Sequence, residues 1–192
     1  MGSRQHKLFW GSSFDRGLQY LLFMWPDIKL NFPDATLDVC YGWETFLQLN
    51  GGNPERMEWY RSMVTLMKQP GIVDHGRLGK KELAEVRKQC GIWAYPTDFQ
   101  EINCITALEA QHDSLVPVTM SLAALQETVG TGIKVEGDIK QPEIQKEYLK
   151  QLLSMMGDWE KWSKESKKAE KFVKGYDWKT IADKWLKVFT NV

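Results

Sequence analysis

The sequence predicts an α/β domain, a doubly wound parallel sheet with helices at its C-terminal end. Three observations predict it. Short apolar runs alternate with longer helical stretches from Lys7 to Val135, the rhythm of a parallel sheet wound with crossover helices. The stretch Ile92 to Thr119 by itself reads strand, loop, helix, strand, which is the βαβ unit. And 43% of the 192 residues are hydrophobic with no run near the roughly 20 that a membrane span needs, so the apolar content belongs to a core.

Taken in order, Lys7-Leu8-Phe9-Trp10 is the first strand, stopped by Gly11. Asp15 is then an N-cap for a helix with Leu18, Leu21, Leu22 and Trp25 on one side, and Pro26 is expected to break or kink it. Ala35 to Tyr41 alternates and ends at Gly42, a second strand. Trp43 to Met67 is helical with a break at Asn50-Gly51-Gly52-Asn53-Pro54, and Met57, Tyr60, Val64 and Met67 form the apolar stripe of its second half. Ile72 to His75 is a third strand, closed by Gly76, with His75 a structural strand-end histidine. The helix from Gly79 turns Leu83 and Val86 inward. Ile92-Trp93-Ala94-Tyr95, bounded by Pro96, is the fourth strand. A polar loop leads to Glu101, and a helix runs from about Asn103 to His112. Leu115 to Thr119 is the fifth strand, with Pro117 arguing for its start or for an edge.

Beyond it, Ser121 to Val129 holds a short helix and Gly130 to Val135 a turn and a last strand. Gln141 onward is helical, with Ile144, Tyr148, Leu149 and Leu152 as its stripe. Lys161 to Lys174 reads as a solvated helix. Asp177 caps a final helix with Trp178, Ile181, Ala182, Trp185 and Phe189 on one face. Residues 7–140 are thus the sheet core and 141–192 a helical segment of one domain.

Composition excludes several functions. With 25 basic and 25 acidic residues there is no field that would favour nucleic acid or an anionic membrane. The three cysteines, Cys40, Cys90 and Cys104, have neither metal-ligand spacing nor a disulfide framework, which points to a reduced, cytoplasmic setting. Neither GxGxxG nor GxxxxGK[ST] is present, so a nucleotide would have to be held in another way.

Two places carry candidate chemistry. Arg16 sits where a helix begins, and the macrodipole disfavours a cation there unless an anion is shared with the helix N-terminus and nearby N–H groups; otherwise it is a solvated surface arginine. Glu101 and Glu109 bracket the loop and helix of the βαβ unit with seven residues between them. On spacing alone they are an ordinary loop carboxylate and a helix-surface one. Cys104, at a helix N-terminus, admits a third reading as an activated thiolate.

The stretch YPTDFQEINCITALEAQHDSLVPVT resembles the donor-site signature of the group 1 (family 4-like) retaining glycosyltransferases of the GT-B fold, whose form is close to PSxxEGFGLxxLEAMAxGxPVV. Pro96, Glu101, Ile105, Leu108, Glu109, Ala110, Pro117 and Val118 match. Ile102, Asn103 and Cys104 stand where the family commonly has Gly-Phe-Gly, and one extra residue precedes Pro117. SSFDRGL resembles the family's GRxxxxKG loop with Arg16 as its basic residue and Ser12 where its first Arg falls. DWKTIADKW resembles its C-terminal helix, so the resemblance runs from about Lys7 to the end.

The resemblance implies a Rossmann-like C-terminal half of a GT-B enzyme, binding a UDP-, GDP- or ADP-sugar with no cofactor and no metal. Glu101 would be the catalytic-site carboxylate at the sugar hydroxyls and Glu109 the ribose ligand. Gly11, Ser12 and Arg16 would face the diphosphate together with the N–H groups of Asn103, Cys104 and Ile105. Gly76, Arg77 and Leu78 would meet the nucleobase through their backbone. The N-terminal acceptor domain would be missing from this chain, leaving a donor-binding domain that alone transfers nothing. The alternative is a nucleotide-sugar-binding module, or an inactive homologue, without catalysis.

Overall fold

The structure is a computed structural model that describes residues 3–190. Its centre is a six-stranded, all-parallel sheet in the order β3-β2-β1-β4-β5-β6, built from β1 (Lys7–Trp10), β2 (Thr36–Val39), β3 (Ile72–Asp74), β4 (Ile92–Tyr95), β5 (Val116–Met120) and β6 (Ile133–Val135). β4 and β5 are buried along their whole length, as inner strands covered on both faces must be. The strand order reverses between β1 and β4, which pair through Leu8↔Ile92 and Phe9↔Trp93. Ligands of such sheets bind at this switch point, beyond the carboxyl ends of the strands.

The helices of the sheet are α1 (Leu18–Asn31), α2 (Glu44–Asn50), α3 (Pro54–Leu66), α4 (Lys80–Gln89), α5 (Ile105–His112) and α6 (Leu125–Thr128). Three follow: α7 (Pro142–Gly157), α8 (Trp159–Val173) and α9 (Trp178–Thr190). α1 packs against α3 and α7, and α5 against α8. α1, α3 and α7 thus form one packed group and α5 with α8 another. Trp10, Trp25, Trp93, Tyr95 and Tyr148 fill the core completely buried.

Several expectations need correction. Pro26 does not break α1. The ring removes the N–H that would bond the Leu22 carbonyl one turn earlier, and the Gln69 side-chain amide donates to that oxygen instead, at 3.0 Å. Asp15 is not a helix N-cap. It lies in a 3-10 turn, Phe14–Arg16, and α1 starts only after Gly17. Its carboxylate accepts from Ser13 Oγ at 2.7 Å and from Arg56 at 2.8 Å.

The buried side of α3 is Met63 and Met67, with Trp59 and Leu66 packed beside them, while Met57, Tyr60 and Val64 stay partly exposed. Pro117 lies inside β5, yet it costs no ladder bond toward β6 because that pairing starts only at Val118↔Ile133. α8 is not a solvated helix: Trp162, Ser166, Ala169 and Val173 are buried at helical spacing. Among the described residues the apolar face of α9 is largely uncovered, with Trp178 88%, Trp185 57% and Phe189 67% exposed. No helix among the described residues is long and apolar enough to cross a membrane.

Candidate functional site

The carboxyl ends of β1 and β4 meet at the switch point, and the turns that follow them are locked together. Gly17 stands at φ +114°, where a Cβ would lie 2.3 Å from the Pro96 carbonyl oxygen. Only glycine satisfies both the angle and the approach. Gly11 faces the start of α5, and a Cβ there would meet Phe9 at 2.6 Å and Thr106 at 3.5 Å. Close contact of these turns brings Arg16 to Glu101 across the seam.

The geometry around Glu101 is dense. Arg16 Nη1 donates to Glu101 Oε1 at 3.0 Å and Oε2 at 3.2 Å. Tyr95 Oη donates to Oε1 at 2.7 Å. Glu101 is 7% exposed and Arg16 35%. The Arg16 guanidinium also lies over the Phe99 ring, 4.1 Å from its centroid, a cation–π contact that fixes its plane. Burial alone would loosen the proton on Arg16, but the Glu101 carboxylate outweighs it and holds that proton more tightly than usual. Burial, and then the adjacent Glu101 charge, push the Tyr95 phenol well up, so it stays a proton donor. The backbone of the loop is held too: Ala124 N–H donates to the Glu101 carbonyl at 3.1 Å.

Gly11, Ser12, Arg16, Glu101 and the N-terminus of α5 therefore come together as the sequence suggests, with adjustments. Ser12 is 4% exposed, and its hydroxyl sits beside the Tyr95 phenol oxygen rather than opening to a ligand. α5 begins at Ile105 with Cys104 as its N-cap, so Asn103 lies ahead of the helix. Ala107 and Leu108 N–H both bond to the Cys104 carbonyl. Ile105 and Thr106 are then the residues whose N–H groups remain at the helix end.

Cys104 is 3% exposed, and burial pushes its thiol up to about 12. The thiolate reading fails on both counts.

Two further groups lie apart from this pair. Glu109 turns toward α4, where its Oε2 accepts from Arg87 Nη1 at 2.8 Å; it is 48% exposed. Arg87 is also held by Asp113, which is 5% exposed. Gly76, Arg77 and Leu78 form the turn after β3, with Gly76 at φ +64° and the Arg77 N–H close against Gly42 beyond β2. His75 pairs with Asp38 at 2.7 Å, a strand-end tie as expected. Among the described residues no three His, Cys, Asp or Glu side chains gather as a metal site.

Tyr95 and Phe99 were not singled out by the sequence. The signal for Tyr95 was there, since a tyrosine ending a fully buried run needs a partner for its hydroxyl, and a carboxylate follows in the next loop.

No known sequence family and no curated relative matches the chain. Solved structures do. The crystal structure of the GtfA/B complex superposes with a TM-score of 0.78 at 12% identity, over 98% of this chain and 36% of that one. The pneumococcal O-GlcNAc transferase GtfA, in complex with UDP and GlcNAc, gives 0.75 at 14% over 99% and 36%. Anabaena HepE with UDP-glucose gives 0.70 at 14% over 97% and 48%. The fold is that of a GT-B C-terminal domain. This GT-B-like domain spans between about a third and a half of the chains it matches. In it, the Arg16–Glu101 pair occupies the switch point between β1 and β4.

Proposed function

We propose that this chain is the donor-binding domain of a retaining glycosyltransferase that moves a sugar from a nucleoside diphosphate sugar to an acceptor. The observation that carries the reading is the Arg16–Glu101 pair beside the α5 N-terminus. Structures of similar fold are complexes with UDP-glucose, with UDP and GlcNAc, and with ADP and acarbose, which supports a nucleotide sugar as the ligand class.

The chemistry follows from the groups present. A departing diphosphate gathers negative charge, and a guanidinium with a helix N-terminus stabilises it. Among the described residues only Nη1 of Arg16 is engaged, so Nε and Nη2 remain for phosphate oxygens. Glu101, an anion beside the seam, faces the sugar as its hydroxyl acceptor. Glu109 keeps Oε1 for ribose hydroxyls while Arg87 holds Oε2. Gly11 keeps the β1 turn close to α5, and the backbone of Gly76, Arg77 and Leu78 lies beyond β3 for the base. The acceptor side belongs to a second domain of the same enzyme, and this chain alone binds donor without transferring it. The other reading is a nucleotide-sugar-binding module without catalysis.

Calorimetric titration with UDP, GDP and ADP tests the reading. We expect one of them to bind saturably. Arg16→Ala should weaken the diphosphate by about 1–3 kcal/mol and the corresponding nucleoside much less, the scale of a lost charged hydrogen bond. Glu109→Ala should weaken both. Absence of binding to all three, by this chain and by the full-length protein, would remove the donor site; binding with no transfer by the full-length protein would favour the module.

A further inference from the structure

We propose that Tyr95 is a positioning residue of this site: its hydroxyl aims the Glu101 carboxylate so that a single acceptor lone pair is left for the donor sugar. The inference rests on the donor-site reading of the Arg16–Glu101 pair and extends it to a residue outside the matched signature. It starts from how few lone pairs Glu101 has left. A carboxylate offers about four acceptor positions. Tyr95 and Arg16 fill Oε1, and Arg16 takes one position on Oε2. What remains is the outer side of Oε2. One free acceptor, fixed in direction, suits one sugar hydroxyl.

Tyr95 can hold that direction because it does not move. It is wholly buried, its ring stacks on Trp93 at 4.7 Å and packs against Trp10 at 4.9 Å. Its carbonyl accepts from Thr119 Oγ1 at 2.9 Å. The chain of groups Tyr95, Glu101, Arg16 therefore crosses the seam, joining β4 to the turn after β1. Arg16 by contrast is a third exposed and has a second task at the phosphate. With Nε and Nη2 of Arg16 given to a diphosphate and Nη1 kept on Glu101, Tyr95 is the buried donor that holds the carboxylate from its other side.

The test compares Tyr95→Phe, Glu101→Gln and the double variant with the wild-type chain. Each is titrated with a nucleoside diphosphate and with its sugar conjugate, UDP and UDP-glucose as the first pair and the GDP and ADP pairs after them. Phenylalanine keeps the ring stack and removes only the O–H. We expect Tyr95→Phe to weaken the nucleotide sugar about tenfold while the free diphosphate changes less than twofold. In the Glu101→Gln background the same change should cost nothing further, since the group being aimed is gone. A thermal midpoint within a few degrees of wild type would show that packing is kept. Equal losses for diphosphate and conjugate, losses that add in the double variant, or wild-type affinity in Tyr95→Phe would each overturn the positioning role and leave the donor site standing. No binding of any pair by the wild type would overturn both.

Discussion

Arg87 is the residue where burial and charge disagree most usefully. It holds two carboxylates of unequal exposure, Glu109 at 48% and Asp113 at 5%. Removing Glu109 leaves Arg87 paired with Asp113, whereas removing Arg87 leaves a buried carboxylate with only the exposed His112 imidazole beside it. Glu109→Ala should therefore cost within about 1 kcal/mol of stability, and Arg87→Ala about 3 kcal/mol. Urea denaturation of both variants gives the comparison; equal losses would mean that Asp113 does not depend on Arg87. At this scale the sequence singles out residues without showing where they point. Arg16 and Glu101 were legible because they sit in a recognisable pattern. That they would bind each other was not, since they lie in separate loops and meet only after β1 and β4 pair. Glu109's partner was hidden for the same reason, because Arg87 comes from another helix.

Among the elements, α8 departs furthest from expectation, and one of its acidic residues, Glu165, shows why. Lysines dominate its sequence and conceal a stripe spaced three and four residues apart, with Glu165 beside it. Glu165 accepts from Thr131 Oγ1, from the Gly132 N–H at 3.0 Å and from Lys168 at 2.6 Å. Burial works against its ionisation, but these donors outweigh burial and hold the carboxyl below its ordinary value near 4.5. A depressed carboxyl stabilises the fold above the unfolded-state value and loses that contribution as pH falls through the folded one. Glu165→Gln should thus be less stable than wild type near pH 6, with the gap closing toward about pH 3, as read by urea midpoints across that range. A constant gap would place the effect in packing. Strands were read more accurately than helices. Most β-runs are short, apolar and closed within two residues by glycine or proline, and the inner strands β4 and β5 are buried whole. Helix faces depend on which neighbour arrives, as Met63 replacing Tyr60 on the inner side of α3 shows. The continuity of α1 through Pro26 required a donor from Gln69, more than forty positions away.

Across the whole molecule, the alternation of strands and helices was enough to predict the doubly wound sheet, because each crossover is local. The strand order was not local, and neither was the bare face of α9, whose tryptophans the sequence placed on one side without showing that the described residues leave them exposed. Because the site draws on both sides of the seam, a bound nucleotide should stabilise the whole fold rather than one loop. At about 100 times its dissociation constant it should add about 2.7 kcal/mol, raising the thermal midpoint by roughly 5–10 °C for a chain of this size. A loop-confined protection pattern in hydrogen exchange, with no rise in the midpoint, would contradict this.

The two-pair contact of β1 with β4 also bears on how the chain reaches its native state. Most of the sheet assembles from neighbours in sequence, but this contact must close a loop that includes α1 to α4 before any of its enthalpy is gained. Loop-closure entropy makes the seam where Arg16 and Glu101 meet the costly contact of the sheet to form. A nascent or partly folded chain can hold either half of the sheet and still possess no site at all, so competence to bind arrives in one step with the native topology.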